Sequence, residues 1–133
     1  MIVDTSALIA ILRGEPDAER LREALLAAAE PRISAGTLLE ARMVAARDGG
    51  GAELAALLVV AGVEVIAVDE RQLDAAADGF LRFGKGRHLA GLNFGDCFAY
   101  GLARVLAEPL LFKGDDFSQT DLESAVPPPV ALR

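Results

Sequence analysis

Apolar residues follow two rhythms along this chain. Short runs rich in β-branched residues and leucine occur at residues 1–4, 32–35, 63–68 and 109–112, and each predicts a strand. Between them, apolar residues recur every three or four positions, the rhythm of a helix with one buried face. Thr5 and Ser6 open a helix over 5–12, which Gly14 closes. Glu15-Pro16-Asp17 opens a second, where Leu21, Ala24, Leu25 and Ala28 share a face and Pro31 forces the end. A third helix over 36–47 is expected to turn Leu39 and Met43 inward. After Gly49-Gly50-Gly51 comes a mostly apolar helix over 52–61, expected to be buried against a neighbour. A helix over 70–83 follows, with Leu73, Ala76 and Phe80 at helical spacing. The Gly-rich stretch 84–95 reads as a loop. Asn93 caps a helix over 94–107, with Asp96 at about its third position. Gly114-Asp115-Asp116 reads as a turn, and Pro127-Pro128-Pro129 precedes a last short strand over 130–132.

Strands that alternate with helices imply a parallel sheet covered on both faces. The expected fold class is α/β, a three-layer α/β/α sandwich around a mainly parallel central sheet, as one domain over 1–133. In such sheets ligands bind beyond the carboxyl ends of the strands, near the reversal of strand order.

Composition narrows the possibilities. An apolar fraction of 53% supplies a core and argues against global disorder. The longest uncharged apolar stretch, 54–63, is about half of a membrane span, and no basic leader precedes it, so no membrane role is expected. Cys97 is the only cysteine, which suits a reducing, cytoplasmic setting. The net charge of −7 opposes a general nucleic-acid-binding module, since phosphate neutralisation calls for basic surfaces.

Most of the 20 acids have ordinary surroundings. Glu15, Asp17, Glu19 and Glu23 favour a helix start, and Glu70, Asp74 and Asp78 make a solvated face. A few do not. Asp4 ends the first strand, and Asp115 and Asp116 follow the last long one, both at carboxyl ends. Glu40 is the only acid between Pro31 and Arg47, and Asp96 the only one between Gly79 and Ala107. Each has a plain alternative alone: a helix cap for Asp4, a helix-start acid for Asp96, a surface position for Glu40, a turn for Asp115-Asp116. Taken together they would form an all-oxygen site that suits Mg²⁺ or Mn²⁺, and one His and one Cys exclude an ordinary zinc centre. Carboxylate-held Mg²⁺ is a common device for phosphodiester hydrolysis. Arg82, Lys85 and Arg87 lead into Asp96 without an intervening acid, and are candidates for holding RNA phosphates; Arg42, Arg47 and Lys113 could extend the track.

Several segments carry a family likeness. Ile2-Val3-Asp4-Thr5-Ser6-Ala7-Leu8 resembles the opening of PIN-domain ribonucleases, especially VapC toxins. Asn93-Phe94-Gly95-Asp96-Cys97, followed by Ala99-Tyr100, resembles the helix with the family's third acid. Leu110-Leu111-Phe112-Lys113-Gly114-Asp115-Asp116-Phe117 resembles its fourth-acid segment, and Phe83-Gly84-Lys85-Gly86 with His88 the loop of one VapC subgroup. The resemblance runs over nearly all the chain. It implies Asp4 and Asp96 as core ligands of Mg²⁺ or Mn²⁺, Glu40 as a third acid, and Ser6 as a support that orients Asp4 or a water. Many members carry Thr-x-Asp-x-x-Phe at the fourth acid. Here Phe112 and Gly114 hold the first and third of those positions, so the acid shifts to Asp116, or to the adjacent Asp115. The resemblance also implies an RNA substrate of the tRNA or rRNA class and a homodimer, within a larger toxin–antitoxin assembly in some cases. A VapB-like antitoxin would lie over the acids, with Ala7 to Leu12 and 52–61 as candidate apolar surfaces. Three other readings compete. A phosphatase of the haloacid-dehalogenase kind wants an acid where Ser6 stands, a receiver domain would use Asp69 as phosphoacceptor, and a catalytically silent partner-binding domain needs no site.

Overall fold

A computed structural model describes residues 1–127. The apolar runs form β1 (Ile2–Val3), β2 (Arg32–Ser34), β3 (Glu64–Ile66) and β4 (Leu110–Leu111). The periodic stretches form α1 (Thr5–Arg13), α2 (Ala18–Ala27), α3 (Ala35–Arg47), α4 (Gly51–Ala61), α5 (Glu70–Phe83) and α6 (Phe94–Leu106). The strand expected over 130–132 lies outside the described residues. Gly14 and Gly62 close α1 and α4 in the left-handed conformation, at φ 62° and 68°, which a residue with a Cβ adopts at a cost.

Every strand pair is parallel, in the order β3-β2-β1-β4. The chain steps outward from β1 to β3, then returns to the other side of β1 for β4. The reversal therefore falls between β1 and β4, and their carboxyl ends flank it. Side chains alternate across the sheet: Val3 and Leu111 join a core with α1 to α4, while Ile2 and Leu110 join one with α6. Helices thus cover both faces, and the three-layer α/β/α sandwich is present.

Several expectations need correction. Helix α4, expected to be buried against a neighbour, buries only Leu54 and Leu57 and turns Val59 and Val60 to the outside. Leu39 and Met43 are 61% and 55% exposed, and α3 turns Leu38, Ala41 and Ala45 inward instead. The spacing is helical, but the buried face is nearly opposite to the expected one, and its small alanines allow close packing. The strand expected over 63–68 shortens to Glu64–Ile66, because β3 is the sheet edge and pairs only with β2. The loop expected over 84–95 ends at Asn93, where α6 begins; it is pinned by a bridge between Gly84 and Leu92, with Ala90 and Leu92 in the core. After β4 the chain turns back, and Ser124 bridges to Leu110 along the outer edge.

Helix α5 lies on α6 through small residues. A Cβ at Gly101 would sit 2.6 Å from the Gln72 carbonyl oxygen and 3.1 Å from the Ala76 Cβ. Since the first of these is backbone, the helices would have to separate. Gly101→Ala is expected to destabilise the fold by about 1–3 kcal/mol in chemical denaturation, outweighing a helix-propensity gain of about 1 kcal/mol. An unchanged or raised midpoint would mean that α5 and α6 are not packed this closely.

Candidate active site

Asp4 emerges from the carboxyl end of β1 and caps α1. Its Oδ2 accepts from the Ser6 backbone N–H at 3.0 Å and from the Ser6 hydroxyl at 2.6 Å. The Lys113 N–H, just past β4, donates to that hydroxyl oxygen at 3.0 Å. Ser6 therefore ties Asp4 across the strand reversal. Asp4 is only 2% exposed, and its other oxygen, Oδ1, is buried with no hydrogen-bond partner among the described residues. Burial pushes the Asp4 carboxyl up to about 7; the Ser6 bonds oppose the rise, and the charges of Asp96 and Glu40 add to it.

Glu40 comes from α3, whose start is tied to that of α1. The Thr5 hydroxyl donates to the Thr37 carbonyl at 3.1 Å in a buried contact, one residue after Asp4 and one helical turn before Glu40. The Glu40 carboxylate lies against Gly95, where a Cβ would come within 2.7 Å of the carboxylate carbon. Asp96, the next residue, completes a capping box: its Oδ2 accepts from the Asn93 N–H, and Asn93 Oδ1 accepts from the Asp96 N–H, each at 3.0 Å. Burial again raises the Asp96 carboxyl above its usual range. The Asn93 bond lowers it, and the charges of Glu40 and Asp116 push it further up.

Asp116 precedes a 3₁₀ turn at Phe117–Gln119 and is exposed, yet its charge reaches Asp96. Asp115 is not among the charges that raise Asp96, and it lines a separate cleft with Asp17, Arg20 and Ser118. Asp4, Glu40, Asp96 and Asp116 thus gather at the carboxyl edge of the sheet, and Asp115 faces elsewhere. Among the described residues, no three acids, histidines or cysteines are drawn closely enough to grip an ion as they stand. Mutual repulsion keeps like charges apart when no cation is among them. The donor set still fits a hard divalent cation: every candidate oxygen is a carboxylate, and Asp4 Oδ1 is buried without a partner.

The basic candidates differ among themselves. Arg82 pairs with Asp78 at 3.5 Å and Asp121 at 3.4 Å, and its guanidinium stacks on the Phe83 ring. Lys113 is paired with Glu15 at 2.6 Å. Among the described residues, Lys85, Arg87, Arg42 and Arg47 are exposed and make no ion pair. Most of α1 from Ala7 to Ile11 is core rather than surface, whereas Val59 and Val60 on α4 are exposed. An apolar groove of about 470 Å³ lies between α5 and α6, lined by Leu73, Phe80, Phe94 and Phe98 among others. Asp69 caps α5, accepting from the Gln72 N–H at 2.9 Å, which is a structural use of that side chain. Thr37 was not singled out in the sequence, and Thr5 and Gly95 were named only as a helix opener and as part of a motif; a glycine directly before an isolated acid in a helix start was the available signal for Gly95.

This arrangement has counterparts. A PIN domain family model matches residues 1–123. Ribonuclease VapC30 of Mycobacterium tuberculosis is 49% identical over 131 residues, spanning 96% of this chain and 100% of that protein. The crystal structure of Mycobacterium tuberculosis VapC20, described as a Sarcin-Ricin loop cleaving toxin, superposes with a TM-score of 0.74 at 18% identity, covering 95% of this chain and 98% of that one. A chain of a toxin-antitoxin complex from Klebsiella pneumoniae gives a TM-score of 0.68 at 16% identity, covering 90% and 92%. The two structures speak to the fold, and the family model and VapC30 to kinship: the chain belongs to the PIN-domain family and, within it, to the VapC ribonucleases.

Proposed function

We propose that this chain is a metal-dependent endoribonuclease toxin that hydrolyses phosphodiester bonds in structured RNA of the tRNA or rRNA class. The observation that carries the reading is Asp4 Oδ1, a buried carboxylate oxygen without a hydrogen-bond partner, within the field of Asp96 and Glu40. A rise from 3.8 to about 7 corresponds to roughly 4 kcal/mol against ionising Asp4. A cation among the acids would offset that penalty.

Asp4, Glu40, Asp96 and Asp116 would hold Mg²⁺ or Mn²⁺. When bound, the ion supplies Lewis acidity for attack at phosphorus and offsets the charge of the acids. Ser6 holds Asp4 Oδ2, leaving Oδ1 as the oxygen for the ion. Asn93 fixes the first turn of α6, so Asp96 stays at the edge while keeping a free oxygen. Lys85 and Arg87, exposed and unpaired among the described residues, are the better placed of the loop cations to meet RNA phosphates. Arg82 would first have to leave Asp121. Cations at the acids and on this loop reconcile a net charge of −7 with an anionic substrate.

Restraint by a VapB-like antitoxin is part of the proposal, supported by kinship with VapC proteins and by the toxin-antitoxin complex among the fold's neighbours. A basic side chain of the antitoxin would be matched to the acids. Homodimerisation, within a larger toxin–antitoxin assembly, is supported by the exposed apolar side chains on α4, α5 and α6. No helix among the described residues is long and apolar enough to cross a membrane, and Cys97 is unpaired; both suit a cytoplasmic setting.

Purified, partner-free protein should cut cellular RNA at discrete positions with Mg²⁺ or Mn²⁺ and stop with EDTA. Asp96→Asn should lower the rate by at least about a hundredfold. Attack by water needs no 2′-hydroxyl, so the products should carry 5′-phosphate and 3′-hydroxyl ends. Cyclic phosphate ends would refute the metal mechanism, and cutting that survives in the variant would refute the site.

A stability measurement tests Asp4 apart from catalysis. The folded chain keeps Asp4 protonated up to about pH 7, whereas an unfolded carboxyl ionises near 3.8. Its folded pKa lies above its unfolded one, so its contribution to metal-free stability falls as pH rises through that window and is level above it. The stabilisation by Mn²⁺ should grow over the same window, because the ion binds the ionised form. Unfolding midpoints of wild type relative to Asp4→Asn, with EDTA and with Mn²⁺, give the comparison. A Mn²⁺ effect independent of pH would exclude Asp4 from the cation site.

A further inference from the structure

The helices that carry Glu40 and Asp96 meet through a pair of glycines. Gly36, at the start of α3, has the Phe98 ring of α6 on its bare α carbon, and a Cβ there would lie 2.5 Å from the ring's Cγ. Gly95, at the start of α6, has the Glu40 carboxylate on its own, and a Cβ there would lie 2.7 Å from Cδ and 3.0 Å from Oε1. Gly36 and Glu40 are four residues apart on α3, and Gly95 and Phe98 three apart on α6. Each glycine therefore shares a helix face with the side chain that its helix sends across. The contact is reciprocal: each helix offers one hollow and one projecting group.

Neither glycine has a positive φ, so left-handed backbone explains neither. Both lie inside helices, where glycine is less stable than alanine. What they supply is space. At Gly36 the space takes an aromatic ring that is itself held by Phe94, with centroids 5.0 Å apart. At Gly95 it takes the far end of a flexible acid.

We propose that Gly95 is a positioning residue for the acid site: its missing side chain admits the Glu40 carboxylate to the first turn of α6, beside Asp96. The inference rests on the reading that these acids hold a divalent cation. The Phe98–Gly36 contact sets the rotation between the helices that keeps this berth aligned. A methyl group at position 95 would leave Asp4, Asp96, Asp116 and the Asn93–Asp96 capping box in place, and would turn Glu40 outward. Because a Glu side chain can swing aside, the loss would fall on the site rather than on the fold. At Gly36 the order reverses, since the Phe98 ring has less room to yield.

The test is calorimetric titration with Mn²⁺ alone of wild type, Gly95→Ala, Glu40→Ala and the double variant, each with an unfolding midpoint. Gly95→Ala is expected to weaken Mn²⁺ binding by about tenfold while its midpoint stays level or rises. In the Glu40→Ala background it should change binding less than about twofold, because the group it displaces is gone. Wild-type affinity in Gly95→Ala, or an equal loss in both backgrounds, would overturn the proposal. Absence of Mn²⁺ binding by the wild type would instead overturn the cation reading. In that event a crystal structure of Gly95→Ala decides the positioning claim: Glu40 displaced from α6 upholds it, and Glu40 in place with the helices separated refutes it.

Discussion

A carboxylate buried at the junction of a parallel strand and a helix is the constraint around which the site is organised. Asp4 cannot leave that position, because it follows β1 directly and caps α1. Ser6 satisfies one of its oxygens and is itself held by the Lys113 N–H across the strand reversal. The second oxygen has no partner among the described residues, and the charges of Asp96 and Glu40 that act on it are also negative. Burial of an uncompensated carboxylate costs several kcal/mol, so the metal-free site holds its proton into the neutral range. The fold therefore stores a demand for positive charge at one point.

The rest of the architecture aims other acids at that point. All four strands are parallel, so their carboxyl ends share one edge, and a helix that feeds back into a strand begins at that edge. Asp96 arrives at the start of α6, Glu40 one turn into α3, and Asp116 just past β4. Thr5 ties the start of α1 to that of α3, while Ser6 ties it to the chain beyond β4. At the opposite edge, Arg32 draws in Glu30, Glu64 and Glu108, so acids there are paired with a cation of the chain's own. The contrast separates structural acids from those left for a ligand.

Much of this was legible in the sequence because its signals are local. Strand and helix rhythms gave the element order, and an acid directly after an apolar run gave Asp4 and the Asp115-Asp116 pair at a strand end. The inward side of α3 was not legible, because it depends on how closely a neighbour approaches: Ala41 and Ala45 face the core where the larger Leu39 and Met43 were expected. Asp115 and Asp116 are adjacent in sequence, and only the loop path sets which of them lies toward Asp96. The pairing of Arg82 with Asp121 links residues 39 apart in the chain, beyond the reach of any local pattern. Gly95 reads in sequence as a weak helix residue, and its use appears only once α3 is laid against α6.

The central claim is that the buried, unpartnered oxygen of Asp4 belongs to a divalent cation. A crystal structure of the partner-free protein soaked in Mn²⁺, with anomalous scattering to locate the ion, tests it most directly. The account predicts a Mn²⁺ peak in contact with Asp4 Oδ1, with Asp96 and Glu40 drawn in around it. A peak elsewhere with Asp4 Oδ1 still bare, or none at saturating Mn²⁺, would contradict it.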